Sequence, residues 1–366
     1  MKSNYEPLGK HIQLVDYRNS EEVTSTVLGI SIDKEFMPSV ANVIGTDLSR
    51  YKLISKGLFA CNPMHVGRDE RLPIALYEKD SPAIVSPAYF MFEIIDRDVL
   101  NEEYLMMWFR RPEFDRECWF MTDGSVRGGI TWDDLCRIKL PVPSYARQCE
   151  IVESYRAITD RIALKRAEND NLDATIYAKF QDMFQKNKEI LFSGEQLEDW
   201  CIKPLSFLAD FKYGKMATSE ILCEKGFPVY SGYRIVGYCN KYMFKEPQLV
   251  VLARGVSGTG EVRISPPCCH LTNLSIAVLL YDRTYINYLL YYLENDNLIS
   301  LDSGSAQSQI TINNLSMHKV MLPPYSKVVE FDNIAKQLRS IIDENNKEIE
   351  VLEELKKVLL TTISSR

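Results

Sequence analysis

Gly124-Ser125-Val126-Arg127-Gly128-Gly129-Ile130-Thr131-Trp132-Asp133-Asp134-Leu135 is answered, 180 residues further on, by Gly304-Ser305-Ala306-Gln307-Ser308-Gln309-Ile310-Thr311-Ile312-Asn313-Asn314-Leu315. The shared skeleton is Gly-Ser, then Ile-Thr, then two short polar residues and Leu. After a slip of two residues, Ile138-Lys139-Leu140-Pro141 meets Val320-Met321-Leu322-Pro323. Upstream, Tyr104-Leu105 matches Tyr288-Leu289, and the halves begin alike with Glu6-Pro7-Leu8 and Lys203-Pro204-Leu205. One such match is cheap, but an ordered series of them marks an internal duplication.

Each proline segment leads into a long helical pattern. The first is expected from about Tyr145 to Gln185, with Ile151, Tyr155, Ile158, Ile162, Leu172, Ile176 and Met183 three or four apart. The second is expected from about Lys327 to Ile363, with Phe331, Ile334, Leu338, Ile341, Ile349, Leu352, Leu355 and Leu359. Neither contains Gly or Pro, and sustained spacing of this kind fits a coiled-coil seam. Lys165, Asn169 and Asn345 interrupt it. They either fix register or face solvent where the pair splays. About 40 residues of helix span roughly 60 Å, longer than one small globe needs, so an antiparallel pair used as a spacer is expected.

The remaining chain alternates short apolar runs with turn signals: Thr26–Ile30, Gly57–Ala60, Ala83–Val85, Tyr89–Ile94, Gln248–Leu252 and Leu274–Val278. Each half then carries an aromatic helix before its Gly-Ser loop. The expected fold class is α+β: two α/β domains separated by two long helices forming an antiparallel coiled coil. The boundaries fall at 1–143, 144–190, 191–325 and 326–366.

The bulk properties set limits. The chain has 366 residues, 46% hydrophobic and 25% charged, as a packed globular protein requires. No apolar run approaches the 18 or more residues of a membrane span, and Met1–Lys10 lacks a secretory pattern, so the cytoplasm is the expected compartment. Nine cysteines show no Cys-x-x-Cys pair; Cys268-Cys269-His270 reads as buried thiols beside a strand. A net charge of −7 argues against indiscriminate coating of nucleic acid, although a local basic face can hide in the sum.

No catalytic constellation emerges. His11, His65, His270 and His318 show no metal-ligand spacing, and no metal site is expected. The glycine-rich run Gly255–Gly260 lacks the Lys-Ser/Thr of a phosphate loop. Asn62-Pro63-Met64 lacks the second Pro and the aromatic of an adenine methyltransferase motif. What does recur is basic residues near flexible glycines, expected in loops. These are Arg68, Arg71 and Arg127 in the first half, and Lys212, Lys215, Arg234, Arg254 and Arg263 in the second. Glycine lets backbone approach a phosphate, and Lys and Arg neutralise it; Arg also reads guanine in the major groove. Any one of these residues, taken singly, is more often a solvated surface charge; their occurrence in both halves strengthens the joint case.

The chain resembles the specificity subunit of type I restriction-modification enzymes over nearly its whole length. In the first half the resemblance rests on Lys56–Met64, on Val85–Tyr89, and on Gly124–Arg127 leading to Ile130-Thr131. In the second it rests on Lys212–Lys215, Leu252–Gly255, and Ser303–Ser305 leading to Ile310-Thr311. The most specific parts are Leu140–Pro143 running into Gln148-Cys149-Glu150-Ile151-Val152, and Leu322-Pro323-Pro324 running into the last helix. There the second half departs, lacking Gln-x-x-Ile-Val. The resemblance implies two target recognition domains, each reading half of a split DNA site, with the helices as spacers. It implies no catalysis and no cofactor in this chain. Its partners would be double-stranded DNA and two methyltransferase subunits binding S-adenosylmethionine, joined by two restriction/translocase subunits using ATP and Mg. Two alternatives stay open: the specificity subunit of a type IIB-like enzyme, and a coiled-coil scaffold without DNA specificity.

Overall fold

The computed structural model describes residues 5–39, 45–64, 66–122, 128–255, 258–301 and 309–363. The first half runs β1 (Tyr5–Pro7), β2 (Ile12–Leu14), β3 (Val27–Ile30), β4 (Phe36–Pro38), β5 (Lys52–Ile54), β6 (Phe59–Cys61), α1 (Val66–Asp69), β7 (Ile74–Leu76), β8 (Ala83–Val85) and β9 (Phe90–Ile94). It continues with α2 (Glu102–Phe109), α3 (Pro112–Phe120), α4 (Trp132–Arg137) and β10 (Lys139–Pro141). The first long helix, α5 (Tyr145–Phe180), passes through a π turn at Gln181–Gln185 into α6 (Lys186–Phe192). The second half runs β11 (Cys201–Pro204), β12 (Ala209–Tyr213), β13 (Leu222–Cys223), β14 (Phe227–Tyr230), β15 (Ile235–Cys239), β16 (Leu249–Leu252), β17 (Val262–Ile264), β18 (His270–Leu271) and β19 (Ser275–Leu280). It ends with α7 (Tyr285–Asn295), α8 (Ile312–Met317), β20 (Lys319–Leu322) and the second long helix, α9 (Tyr325–Thr362). No helix among the described residues is long and apolar enough to cross a membrane.

Two compact units form: Met1–Lys165 with Lys347–Arg366, and Arg166–Asn346. Each takes a globe and one end of each long helix. In the first unit the sheets are β2-β9-β6-β7 and β4-β3-β8-β5, closed by the pair β1-β10. In the second they are β12-β19-β16-β17 and β13-β15-β14-β18, closed by β11-β20. In both, a hairpin (β3–β4, β14–β15) joins by its first strand, in parallel, to the strand before the central one: β3 to β8, and β14 to β18. The duplication is therefore one of topology as well as of sequence.

The repeat is tightest where each globe meets its long helix. Thr131 and Thr311 cap α4 and α8, each hydroxyl accepting from the backbone three residues on, at 3.2 Å. Glu6 pairs with Leu140 in the first closing ladder, and Lys203 with Val320 in the second. Leu8 N donates to Ile138 O and Leu205 N to His318 O, both at 2.8 Å. Tyr104 Oη donates to Pro141 O, and Tyr288 Oη to Met321 O. The two-residue slip read from the sequence is thus absent. The spacing of 180 holds from Thr131/Thr311 to the helix starts at Tyr145/Tyr325. Pro141 lies within a strand, while Pro323 follows one and matches Pro143, so aligning the Leu-Pro pairs paired unlike positions.

The first core gathers Tyr104, Leu105, Trp108 and Phe109 of α2 with Phe59 and Phe92, which stack at 5.1 Å. Val152 and Tyr155 of α5 join it, as do Leu360 and Ile363 at the end of α9. The second core gathers Tyr288 and Tyr292 of α7 with Phe180, Phe184 and Phe331. Within the first unit Arg161 and Lys165 of α5 pair with Glu348 of α9. Within the second, Phe180 packs on Phe331 at 5.9 Å. Early α5 thus meets late α9 and late α5 meets early α9, the expected antiparallel pairing. Ile341 and Leu355, read as seam positions, are 39% and 49% exposed, while Ile342 packs on the second core, so the seam drifts from the strict spacing.

Asn345 is buried and donates to Asn169 Oδ1 at 2.8 Å and Glu168 Oε2 at 3.2 Å. Asn169 in turn donates to Asn346 Oδ1 at 3.0 Å. Of the two readings of the polar interruption, the buried layer holds: such a layer satisfies itself in one register only. Gln148 is fully buried at the start of α5. It accepts from Asn101 N and donates to Val99 O and Pro143 O, at 2.8–2.9 Å. At the matching position α9 has Val328, also fully buried. The second unit instead fastens its helix through Asn287 Nδ2, which donates to buried Asp332 at 2.8 Å.

A second such substitution replaces Ile138 by His318. His318 Nε2 lies 2.9 Å from Asp296 Oδ2, and Lys188 of α6 binds the other carboxylate oxygen. Burial alone would raise the Asp296 carboxyl, but the hydrogen bonds from His318 and Lys188 bring it below its usual value.

Two predictions follow from these clamps. Asp296→Asn should cost about 1.5–3 kcal/mol at neutral pH, the range for a hydrogen bond to a charged group. Because the folded carboxyl titrates low, its contribution is complete above the unfolded value near ~3.9 and disappears as pH falls through the folded one. Thermal melts of both proteins should therefore draw together as pH falls below about 4 and converge below the lowered folded value. Asn345→Leu should destabilise by about 1–3 kcal/mol in denaturant titration, whereas Asn169→Leu/Asn345→Leu together should recover most of that loss.

Candidate nucleic-acid interface

The same connection carries arginine in both units: between β6 and β7 lie Arg68, which stands in the short helix α1 rather than in a loop as expected, and Arg71, and the β16–β17 loop bears Arg254. Each is fixed in the same way by the segment that precedes the Thr-capped helix. Ile130 N donates to Pro63 O at 3.1 Å, and Ile310 N to Ala253 O at 2.9 Å. In the first unit Gly67 N adds a bond to Gly128 O at 3.0 Å. A Cβ on Gly129 would sit 2.9 Å from Pro63 O, so only glycine allows this approach. Arg127, together with the Gly124–Arg127 and Ser303–Ser305 segments, His65, Val256 and Ser257, lies outside the described residues.

In the second unit the segment 270–275 collects three more chain stretches. Gly214 N donates to Ser275 O and Lys215 N to Leu271 O. Thr272 N donates to Tyr230 O, and Ser275 Oγ to Ser231 O. Ala253 N and Arg254 N both reach Leu274 O. Lys215, Arg234 and Arg254 are thereby displayed, exposed, from three loops locked to one segment. Lys212 and Arg263, expected in loops, stand instead in strands β12 and β17, where sheet pairing sets their direction.

The charges differ in their company. Arg68 gives Nε and Nη2 to the two oxygens of Asp69 at 2.7 and 2.9 Å, and Arg71 pairs with Asp33 at 3.2 Å. Arg263 lies between Glu261 and Glu294, at 3.0 and 3.2 Å, so its charge is answered within the unit. Lys212, Lys215, Arg234 and Arg254 have no carboxylate at ion-pair distance among the described residues. Lys212 lies over Phe244 and Arg234 over Tyr233, at 5.9 and 5.5 Å.

Sequence reasoning missed two features. Lys34, in the β3–β4 turn, is buried: its ammonium donates to Asp115 Oδ1 at 2.6 Å and Leu72 O at 3.1 Å, with Asp115 also accepting from Leu72 N. Burial pushes the Lys34 ammonium down against the pull of Asp115. The clamp holds the turn bearing Asp33 beside Arg71. A lysine in a polar turn gives no sequence signal of burial. The second feature is exposed Tyr233, Ile235, Val236 and Tyr238 around the β14–β15 turn, a display of apolar side chains beside Arg234. The apolar alternation there reads as an ordinary strand.

Gly214→Ala tests the rim. Its Cβ would meet Thr272 O at 2.0 Å, so the loop must move. The variant should lose about 1–3 kcal/mol of stability in thermal or denaturant unfolding.

Comparison with known proteins agrees with this architecture. Residues 197–356 match the type I restriction modification DNA specificity domain. The chain is 21% identical over 299 residues to the type I restriction enzyme MjaIX specificity subunit of Methanocaldococcus jannaschii, covering 73% of this chain and 69% of that protein. Its fold is similar to that of a type I restriction-modification S subunit from M. genitalium, with a TM-score of 0.63 at 16% identity over 99% of this chain and 96% of that one. It is also similar to a chain solved in work on assembly and conformational transition of the type I restriction-modification system (TM-score 0.50, 18% identity, 98% and 96% coverage). The matched domain lies in the second half, and the first half repeats its sheets, its caps and its helix junction; over residues 197–356 the chain is similar to the type I restriction modification DNA specificity domain, and its fold is similar to that of a solved S subunit.

Proposed function

We propose that the two globes, within 1–143 and 191–325, are target recognition domains that each read one half of a bipartite DNA site. The long helices, within 144–190 and 326–366, act as spacers and dock two methyltransferase subunits. The observation that carries this reading is the duplicated arginine-bearing loop, locked in both units by the backbone of Ile130 or Ile310. Two readers built to one plan can approach successive turns of a duplex, about 34–36 Å apart. α5 and α9, of 36 and 38 residues, are each ~55 Å long at 1.5 Å per residue, enough to supply such a separation.

On this reading the chemistry belongs to the partners: S-adenosylmethionine on the methyltransferase subunits, ATP and Mg on two restriction/translocase subunits, all acting in the cytoplasm. The loops differ between the units in sequence and in charge, so the two half-sites should differ in sequence. Methylome sequencing of a host carrying the complex should show adenine methylation at one split motif with two unlike halves and a fixed gap. Methylation scattered without a bipartite motif would sink the proposal.

A further inference from the structure

The two equivalent connections present their arginines in different electrostatic states. In the first unit every described candidate is held by a carboxylate: Arg68 by both oxygens of Asp69, and Arg71 by Asp33. In the second, Arg263 is answered by Glu261 and Glu294, but Arg254 in the equivalent connection, with Lys215 and Arg234 in neighbouring loops, is exposed with no carboxylate at ion-pair distance among the described residues. Two consequences follow from elementary electrostatics. A cation already paired within the protein adds little net charge toward phosphate, whereas an unpaired one releases a counterion when it meets phosphate. A guanidinium gripped along its Nε–Nη2 edge also cannot swivel. Its remaining Nη1 and Nη2 protons lie along one fixed edge, the geometry that matches guanine O6 and N7 in the major groove.

The support beneath Arg68 and Arg71 is rigid. The loop is tied at Asn62 N to Pro73 O, at Gly67 N to Gly128 O and at Leu72 N to Asp115 Oδ1. The turn bearing Asp33 is pinned by the buried Lys34–Asp115 pair. Such a frame orients a side chain for a base edge; phosphate attraction does not require it.

We infer that the basic residues of the two readers do different work. In the first, carboxylate-held Arg68 reads a guanine of its half-site, with Asp69 as its positioning residue. In the second, Lys215, Arg234 and Arg254 supply phosphate attraction, and other side chains of that unit read its half-site. This rests on the reading that both loops face DNA.

The test uses the specificity subunit assembled with its methyltransferase partner. Two readouts are taken: affinity for cognate duplex across about 50–200 mM salt, and the methylated motif. Replacing Lys215, Arg234 and Arg254 together by Ala should flatten the log–log salt slope by about 2–3, at ~0.9 per phosphate contact. The motif in the half read by the first unit should survive. Arg68→Lys should leave the slope nearly unchanged, yet admit other bases at one guanine position with roughly ten-fold or greater loss of discrimination. Asp69→Asn should relax the same position and, by freeing the Arg68 charge, steepen the slope by up to ~0.9, a change that mere loss of structure would not produce. The division of work is overturned if the triple variant keeps the wild-type slope. It is overturned equally if Arg68→Lys flattens the slope while the motif stays intact. A wild-type complex with a clear bipartite motif but either of these results leaves the proposed function standing. A wild-type complex with no motif removes that function instead.

Discussion

Each globe depends on one closure: its first strand pairs with its last, immediately before a long helix begins. The ladders are short, β1 with β10 and β11 with β20, at three or four residues a strand. A tyrosine hydroxyl from the aromatic helix bonds each closing strand from behind, Tyr104 to Pro141 O and Tyr288 to Met321 O. A buried phenol without a partner is costly, so these bonds fix the aromatic helix, the closing strand and the helix start together. Chain enters and leaves each globe at one place. That is why a globe-and-helix unit could be duplicated in tandem without redesigning its interior.

Around this shared closure the halves have diverged by exchanging one clamp for another. Gln148 satisfies three backbone groups at the first junction; Val328 replaces it with apolar packing, and Asn287–Asp332 takes over the polar role. Ile138 gives way to His318, which brings Asp296 and Lys188 into a new ion pair. Each exchange gives the buried donor an acceptor, as a buried position requires, and Asn287 Oδ1 alone of these groups is left without a partner among the described residues. The missing Gln-x-x-Ile-Val of the second half is thus a change of fastening rather than loss of the junction. The candidate interface diverged in the same manner, with one backbone frame carrying carboxylate-paired Arg68 and Arg71 in one unit and, in the other, Arg254 with no carboxylate at ion-pair distance among the described residues.

Much of this was legible in the chain. The long helices announce themselves through uninterrupted three-and-four spacing, and α5 and α9 begin within two residues of the expected starts. The Ile-Thr repeats mark true N-caps because a hydroxyl at that position has a local partner. Other readings failed where the deciding partner was distant in sequence. The Leu-Pro alignment was misled because proline's place in a strand depends on what that strand pairs with. Lys212 and Arg263 read as loop residues until sheet pairing put them in β12 and β17. The burial of Lys34 left no mark in the sequence because its partner, Asp115, lies 81 residues away.

Local periodicity, capping and repetition therefore determined the plan of this protein: globe, helix, globe, helix, built twice. These are short-range properties, set by a residue and its neighbours within one or two turns. Tertiary structure alone decided which charges are available to a ligand. Whether Arg68 is gripped by Asp69, Arg71 by Asp33 and Arg263 by two glutamates, while Arg254 meets no carboxylate among the described residues, follows from how separate loops and strands are brought together. Coulombic pairing falls off within a few ångströms, and the chain by itself does not say which carboxylates will lie that close.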